Sequence, residues 1–301
     1  MRDATSPPAL LAVPNISEGR DEAKVAAIGA AFAGPEGVRL LDMHSDVDHH
    51  RTVFTLAGRP GALGDALLSG AKAAVERIYV GDRRERSEIG RHPHVGAVDV
   101  VPVVYLESAA RGAACAEALV VADRIGEELG VPVFLYGALG AGQTRAELRR
   151  GGTERLAQRM RSGELRPDFG PPEPAPGAGA TLVAAREPLV AFNLQLAEPG
   201  TAEDARRVAA LIREGGEEGL PGLRAIGVQL SGAVAQVSMN VERPLEVPLA
   251  LVVEAVRRHA GLASAELVGL APRAALAGFP DDVPLIGFDP DRHLIENALG
   301  A

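Results

Sequence analysis

Arg166-Pro167-Asp168-Phe169-Gly170-Pro171-Pro172-Glu173-Pro174-Ala175-Pro176-Gly177-Ala178-Gly179-Ala180 holds five prolines and three glycines in fifteen residues. No helix interior and no central strand accommodates that density, because proline lacks a backbone donor and glycine lacks a side chain to pack. The stretch therefore reads as a connector, 166–180. It divides the chain into a first subdomain, 1–165, and a second, 181–301. The fold follows from what lies on either side.

Before the connector, Ala9–Val13 is a short apolar strand. Asp21–Ala33 is a helix with acidic residues in its first turn, Val25, Ile28 and Phe32 on one face, and Gly34-Pro35 as its stop. Val38–Met43 and Arg51–Ala57 are strands, the second alternating with period two. Gly61–Ile78 is helical, and Ala97–Leu106 is a strand whose Pro102 points to an edge or a bulge. A helix (Ala113–Leu129, ended by Gly130) and a strand (Val131–Tyr136) are added. After the connector, Leu189–Leu196 is a strand and Ala202–Glu214 a helix capped by Thr201. Leu223–Leu230 and Val234–Val241 pair across Ser231-Gly232. Leu245–His259 is a helix and Glu266–Leu270 a strand. Each half thus reads β-α-β-β-α-β, the order of a ferredoxin-like split βαβ unit. The expected fold is α+β: two ferredoxin-like subdomains packed side by side, the first with an extra helix and strand.

Composition narrows the function classes. The 301 residues are 47% hydrophobic and 24% charged, which excludes global disorder. The formal charge of −9 disfavours nucleic acid as a partner. A single cysteine, Cys115, excludes an internal disulfide and a cysteine-rich zinc site, and it suits a reducing cytoplasm. On an alanine-rich helical face it reads as filler rather than nucleophile. The N-terminus has no signal-peptide pattern, and the apolar runs are broken well before the ~18 residues of a membrane span. No membrane partner and a cytoplasmic location are expected.

Five of the seven histidines fall in two short loops of the first half, His44-Ser45-Asp46-Val47-Asp48-His49-His50 and Arg91-His92-Pro93-His94. The first loop reads either as a solvated hairpin or as half of a metal site. In the second reading His44, Asp46, Asp48, His49, His50, His92 and His94 serve a metal-dependent hydrolase. The second loop follows a cluster of arginines (Arg83, Arg84, Arg86, Arg91), a cationic patch beside an imidazole that suits a carboxylate-bearing substrate. There is no Walker A motif and no GxSxG. Gly137–Gly142 follows a strand without the GxGxxG spacing and reads as a flexible loop.

Several blocks in order resemble the formiminotransferase family. Val13-Pro14-Asn15-Ile16-Ser17-Glu18-Gly19-Arg20 resembles its VPNFSEG opening. Leu40-Leu41-Asp42, Arg51-Thr52-Val53-Phe54-Thr55, and His92-Pro93 with Gly96-Ala97-Val98-Asp99-Val100 follow. Next come Val131–Gly137 and Pro167–Pro171. Relatives read GEHPRMG where this chain has Gly90-Arg91-His92-Pro93-His94-Val95-Gly96, and His44 stands at a family carboxylate position.

The resemblance implies transfer of a formimino group from N-formimino-L-glutamate to N5 of tetrahydrofolate, the co-substrate, in histidine degradation. It implies two ferredoxin-like subdomains, a homodimer and no metal. A cyclodeaminase, fused in some relatives, would be a separate protein. The family's catalytic histidine falls on His92, and His44 and Asp99 join it as catalytic candidates. Arg166, Pro167, Asp168, Phe169, Gly170 and Pro171 match the folate-contacting segment. Asn15, Glu18, Arg51 and His94 are the substrate-binding candidates. A family member that binds folate without turnover is the alternative.

Overall fold

The computed structural model describes residues 10–80 and 94–300. They form two compact units, Met1–Glu187 and Pro188–Ala301.

In the first unit β1 (Leu10–Ala12) and β2 (Asn15–Ile16) are one strand line, interrupted at Val13-Pro14. The helix α1 (Glu22–Ala33) follows, then β3 (Val38–Asp46), β4 (Arg51–Gly58), α2 (Ala62–Arg77) and β5 (Val98–Val104). The β1/β2 line pairs antiparallel with β4 on one side and β5 on the other, and β3 pairs antiparallel with β4. This is the element order expected of a ferredoxin-like unit. The added part is α3 (Arg111–Leu129), β6 (Val133–Leu135), α4 (Arg145–Arg149), α5 (Gly152–Arg161) and β7 (Thr181–Arg186). The strand β7 lies parallel between β5 and β6.

That position of β7 corrects the expected boundary. The connector and residues 181–187 belong to the first unit, not to a second subdomain starting at 181. Of the two readings of Pro102 the edge fails, because β5 is central, while the strand does carry a register shift, between Val98 and Val100. Its proline is tolerated because the Pro102 carbonyl, on the side where its N–H would have been, accepts from Val13 N–H at 3.0 Å. Val13 sits at the interruption between β1 and β2, so the missing donor falls where the ladder is already broken.

One face of this sheet carries the main core. Phe32 of α1 lies against Phe54 of β4, ring centroids 5.0 Å apart. Residues of α1, α2 and α3 pack there with Leu56, Val98, Val101, Val103 and Val183. Gly70 of α2 lets the helices close, since a Cβ there would stand 2.0 Å from the Phe32 ring. On the opposite face a smaller cluster joins Leu148 of α4 and Leu156 and Met160 of α5 to Val100, Phe134, Leu182 and Ala184. That cover lies over β5, β7 and β6.

The second unit repeats the order with β8 (Val190–Leu196), α6 (Ala202–Ile212), β9 (Leu223–Gln229), β10 (Ala235–Val241), α7 (Leu249–Arg257) and β11 (Leu262–Val268). It adds β12 (Leu285–Ile286), parallel to β11, and two short helices, α8 (Pro290–His293) and α9 (Ile295–Leu299). The sheet order is β12-β11-β8-β10-β9, over a separate apolar core. Thr201 caps α6 in a reciprocal box with Asp204, as its spacing predicts.

Candidate active site

The site grows from the face of the first sheet that the helices α1–α3 leave uncovered. On β4, Phe54 and Leu56 point into the main core, so Arg51 and Val53 point the other way. Paired residues share a face. Asn15 and His44 both pair with Val53, and Asp46 pairs with Arg51. Asn15, His44, Asp46 and Arg51 therefore stand on one sheet face.

The loop between β3 and β4 is a four-residue hairpin, Val47–His50, with His50 in the left-handed region at φ 49°. It is docked rather than solvated. Gly19 lies so close over it that a Cβ would stand 2.4 Å from the Asp46 carbonyl oxygen and 2.6 Å from Arg51 N. Glycine is the residue that permits this approach. Beside it, Glu18 Oε1 accepts from the N–H groups of Gly19, Arg20 and Asp21 at 3.0, 2.9 and 3.1 Å. His50 Nδ1 is 3.3 Å from the same oxygen. Glu18 thus ties the start of α1 to the hairpin. His49 is buried, and its N–H donates to Asp46 Oδ1 at 2.7 Å.

The charged centre lies next to this hairpin. Asp99 sits in a register shift where Asn15 pairs with Val100 and Ile16 with Val98, leaving Asp99 as the extra residue. A bulge of this kind re-aims a side chain. Asp99 is buried and meets Arg149 of α4, also buried, through two bonds. Nε donates to Oδ1 at 3.3 Å, and Nη2 donates to Oδ2. Val95 N–H donates to Oδ1 at 3.0 Å. Arg51 Nη2 donates to Asn15 Oδ1, whose own amide donates to the Val13 carbonyl at 2.8 Å.

Burial pushes the Arg51 guanidinium down to about 9. The positive charges of Arg149 and Arg145 lower it further, and Asp99 and Tyr136 oppose them. Burial also pushes Arg149 down, against the pull of Asp99. Two guanidinium groups, Arg51 and Arg149, therefore feel the Asp99 carboxylate, and Arg145 lies close enough to act on both. A fourth group, the Tyr136 hydroxyl just beyond β6, is buried there with no hydrogen-bond partner among the described residues.

The predicted residues are distributed as follows. Asn15, Arg51 and Asp99 come together, and His44 shares the face of Asn15 and is partly exposed. Glu18 gives one oxygen, Oε1, to the backbone donors at the start of α1. His94 is partly exposed, its carbonyl near the first residue of α5. His92, with Pro93 and Arg83, Arg84, Arg86 and Arg91, lies outside the described residues. The 166–171 segment lines β6. Asp168 Oδ2 accepts from Leu135 N–H at 2.7 Å, and Val133 exchanges backbone bonds with Phe169. Gly170 packs its backbone on Gly126 of α3. Arg166 and Asp168 are exposed. Among the described residues no group of histidine, cysteine and carboxylate side chains is placed to hold a metal ion. Arg149, Arg145 and Tyr136 were missed by sequence reasoning. Tyr136 lies in a quoted family block, but nothing local marks Arg149 among its neighbouring arginines.

Fold and site define a two-unit α+β protein with arginines gathered on the sheet face opposite α1–α3. The comparisons place it further. The model of the formiminotransferase domain, N-terminal subdomain, matches residues 9–186. The chain is 34% identical to the glutamate formimidoyltransferase of Streptococcus pyogenes serotype M1, over 95% of this chain and 97% of that protein. It is 33% identical to the glutamate formimidoyltransferase of Thermoplasma acidophilum, over 88% of both. It is 37% identical to the formimidoyltransferase-cyclodeaminase of Sus scrofa, covering 96% of this chain and 56% of that protein. The chain belongs to the formiminotransferase family.

Proposed function

We propose that this protein is a transferase that moves the formimino group of N-formimino-L-glutamate to N5 of tetrahydrofolate. The observation that carries the reading is the 34% identity along nearly the whole of both chains to a protein named for that activity. The physical support is the arginine group. A glutamate derivative brings two carboxylates, and buried guanidinium forks are their natural receptors.

The chemistry is an amine exchange at an amidine carbon. N5 of tetrahydrofolate attacks the formimino carbon, and a bond forms to give a tetrahedral intermediate. The bond from that carbon to the glutamate nitrogen then breaks. N5 loses a proton and the departing nitrogen gains one. A group titrating near neutral pH performs both transfers, and His92 is the residue assigned to it. Arg51, fixed by Asn15, holds a donor carboxylate. Segment 166–171 is the assigned folate contact, through the exposed Arg166 and the Phe169 ring. Tetrahydrofolate enters as co-substrate, and the chemistry asks for no metal. A homodimer in the cytoplasm completes the reading.

The test is a turnover assay with purified protein, tetrahydrofolate and N-formimino-L-glutamate, following 5-formimino-tetrahydrofolate with and without chelator. Chelator-insensitive product is expected, and His92→Ala should fold normally and lose most of it, on the order of 100-fold. Full activity in that variant would remove His92 from the mechanism. Folate binding without product would make the protein a non-catalytic family member.

A further inference from the structure

We propose that Arg149 and Tyr136 join Arg51 in a carboxylate-binding subsite that fixes the donor, and that Asp99 is a positioning residue for Arg149 rather than a proton carrier. The inference deepens the transferase reading and rests on it for the identity of the donor.

Asp99 comes first, because its sequence position beside the His92 block suggests catalysis. The structure gives it other work. Both oxygens are engaged, one by Arg149 Nη2 and the other by Arg149 Nε and the Val95 N–H. It is 2% exposed, and its hydrogen-bond partners among the described residues are these donors. What it does is hold the Arg149 fork in one orientation.

Arg149 then has donors to spare. A guanidinium carries five N–H groups in a fixed plane. Two are directed to Asp99 along the Nε and Nη2 edge, which leaves the Nη1 edge for a ligand. The Tyr136 hydroxyl is a second spare donor, on a side chain 6% exposed and with no partner among the described residues. A buried hydroxyl left without a bond is unfavourable unless a ligand supplies one. The Arg51 charge belongs to the same group of side chains, with Arg149, Asp99 and Tyr136 acting on it. Spare donors of this kind suit an anion.

The anion is a carboxylate because planar forks pair with it edge to edge, and the phenol adds a third donor. Two sources exist, the amino-acid donor and the glutamyl tail of the folate. The burial of Arg149 and Tyr136 favours the small donor, whose end can be enclosed, over a tail that remains in water.

Glutarate, a plain dicarboxylate, is the probe, titrated by calorimetry into the full-length chain. Tyr136→Phe is the main variant, since it removes a hydroxyl that bonds to nothing in the described protein. It should weaken glutarate binding and raise the donor KM by about 3–10-fold. The kcat, the KM for tetrahydrofolate and the unliganded melting temperature should stay unchanged. Arg149→Lys should weaken glutarate by more than about 30-fold. Asp99→Asn should raise the donor KM without moving the midpoints of the kcat pH profile, whereas a proton carrier would move them.

Failure to bind glutarate in the wild type, or unchanged binding in Tyr136→Phe, overturns the proposal. A change confined to the tetrahydrofolate KM gives the subsite to the folate tail and also overturns it. The two readings fail separately. No formimino transfer with glutarate binding still sensitive to Tyr136 sinks the transferase and keeps the subsite. Normal transfer with an unchanged donor KM does the reverse.

Discussion

Arg51 holds a positive charge where the protein makes that charge unfavourable. Burial is the main cause, and Arg149 and Arg145 add to it. With the group pushed down to about 9, the charged form is present below that pH and lost above it. A carboxylate that needs the charge should bind evenly between about pH 6 and 8, then weaken steadily as pH rises through about 9. Calorimetric titration of glutarate across this range reads it directly. Affinity that stayed level to pH 11 would show that Arg51 keeps an ordinary guanidinium value. At this scale the sequence was half legible. Asn15 and Arg51 open recognisable blocks, and the structure bonds them together. Arg149 was not legible, because it meets Asp99 across fifty residues of chain and only the folded sheet brings them together. Glu18 shows the opposite limit. Its block marked it for substrate, and the structure adds a second task that the block did not show, since Oε1 accepts from three consecutive backbone N–H groups.

At the scale of elements, each helix start needs an acceptor for its first N–H groups. Asp21 does this for α1, accepting from Lys24 N–H as the N-cap, one position outside the first turn where the sequence reading placed it. The start of α2 has only Gly61, which has no side chain to offer. Glu117, reaching from α3, replaces the cap: its carboxylate accepts from Gly61 N–H at 2.8 and 3.0 Å and from Gly64 N–H at 2.5 Å. Glu117→Ala should therefore destabilise the first unit by about 2–3 kcal/mol, from the lost charge-assisted bonds and the exposed helix dipole. Urea denaturation would measure it, and turnover at 25 °C should be unaffected. A loss below about 0.5 kcal/mol would mean that water caps α2 equally well.

The element pattern was legible wherever the signal is local. The hairpin across Ser231-Gly232 pairs Gln229 with Ala235, as its turn predicts. It failed where the partner decides. The strand β7 is a parallel insertion between β5 and β6, and nothing in Thr181–Arg186 says which sheet it joins. The strand β11 begins at Leu262 rather than near Glu266, because Leu-Ala-Ser-Ala carries little β-branched signal and gains its strand from pairing with β8. The helix α7 starts only after Pro248, whose ring belongs at a helix entrance and not inside it.

For the whole molecule, the division at Glu187–Pro188 separates two apolar cores with no member in common. A chain with independent cores unfolds in two cooperative steps where each core holds by itself. Arg51, Asp99, Tyr136, Arg145 and Arg149 all fall in the first unit, so the carboxylate subsite should travel with it. A protein of residues 1–187 alone should melt in one cooperative transition, its calorimetric enthalpy matching the van't Hoff value. It should bind glutarate within about threefold of the full chain, a difference of about 0.6 kcal/mol. Cutting inside the 166–180 connector should instead fail, because Phe169 pairs with β6 and β7 is then lost from between β5 and β6. A soluble, glutarate-binding 1–165 fragment would show that β7 is dispensable and that the unit ends where its prolines begin.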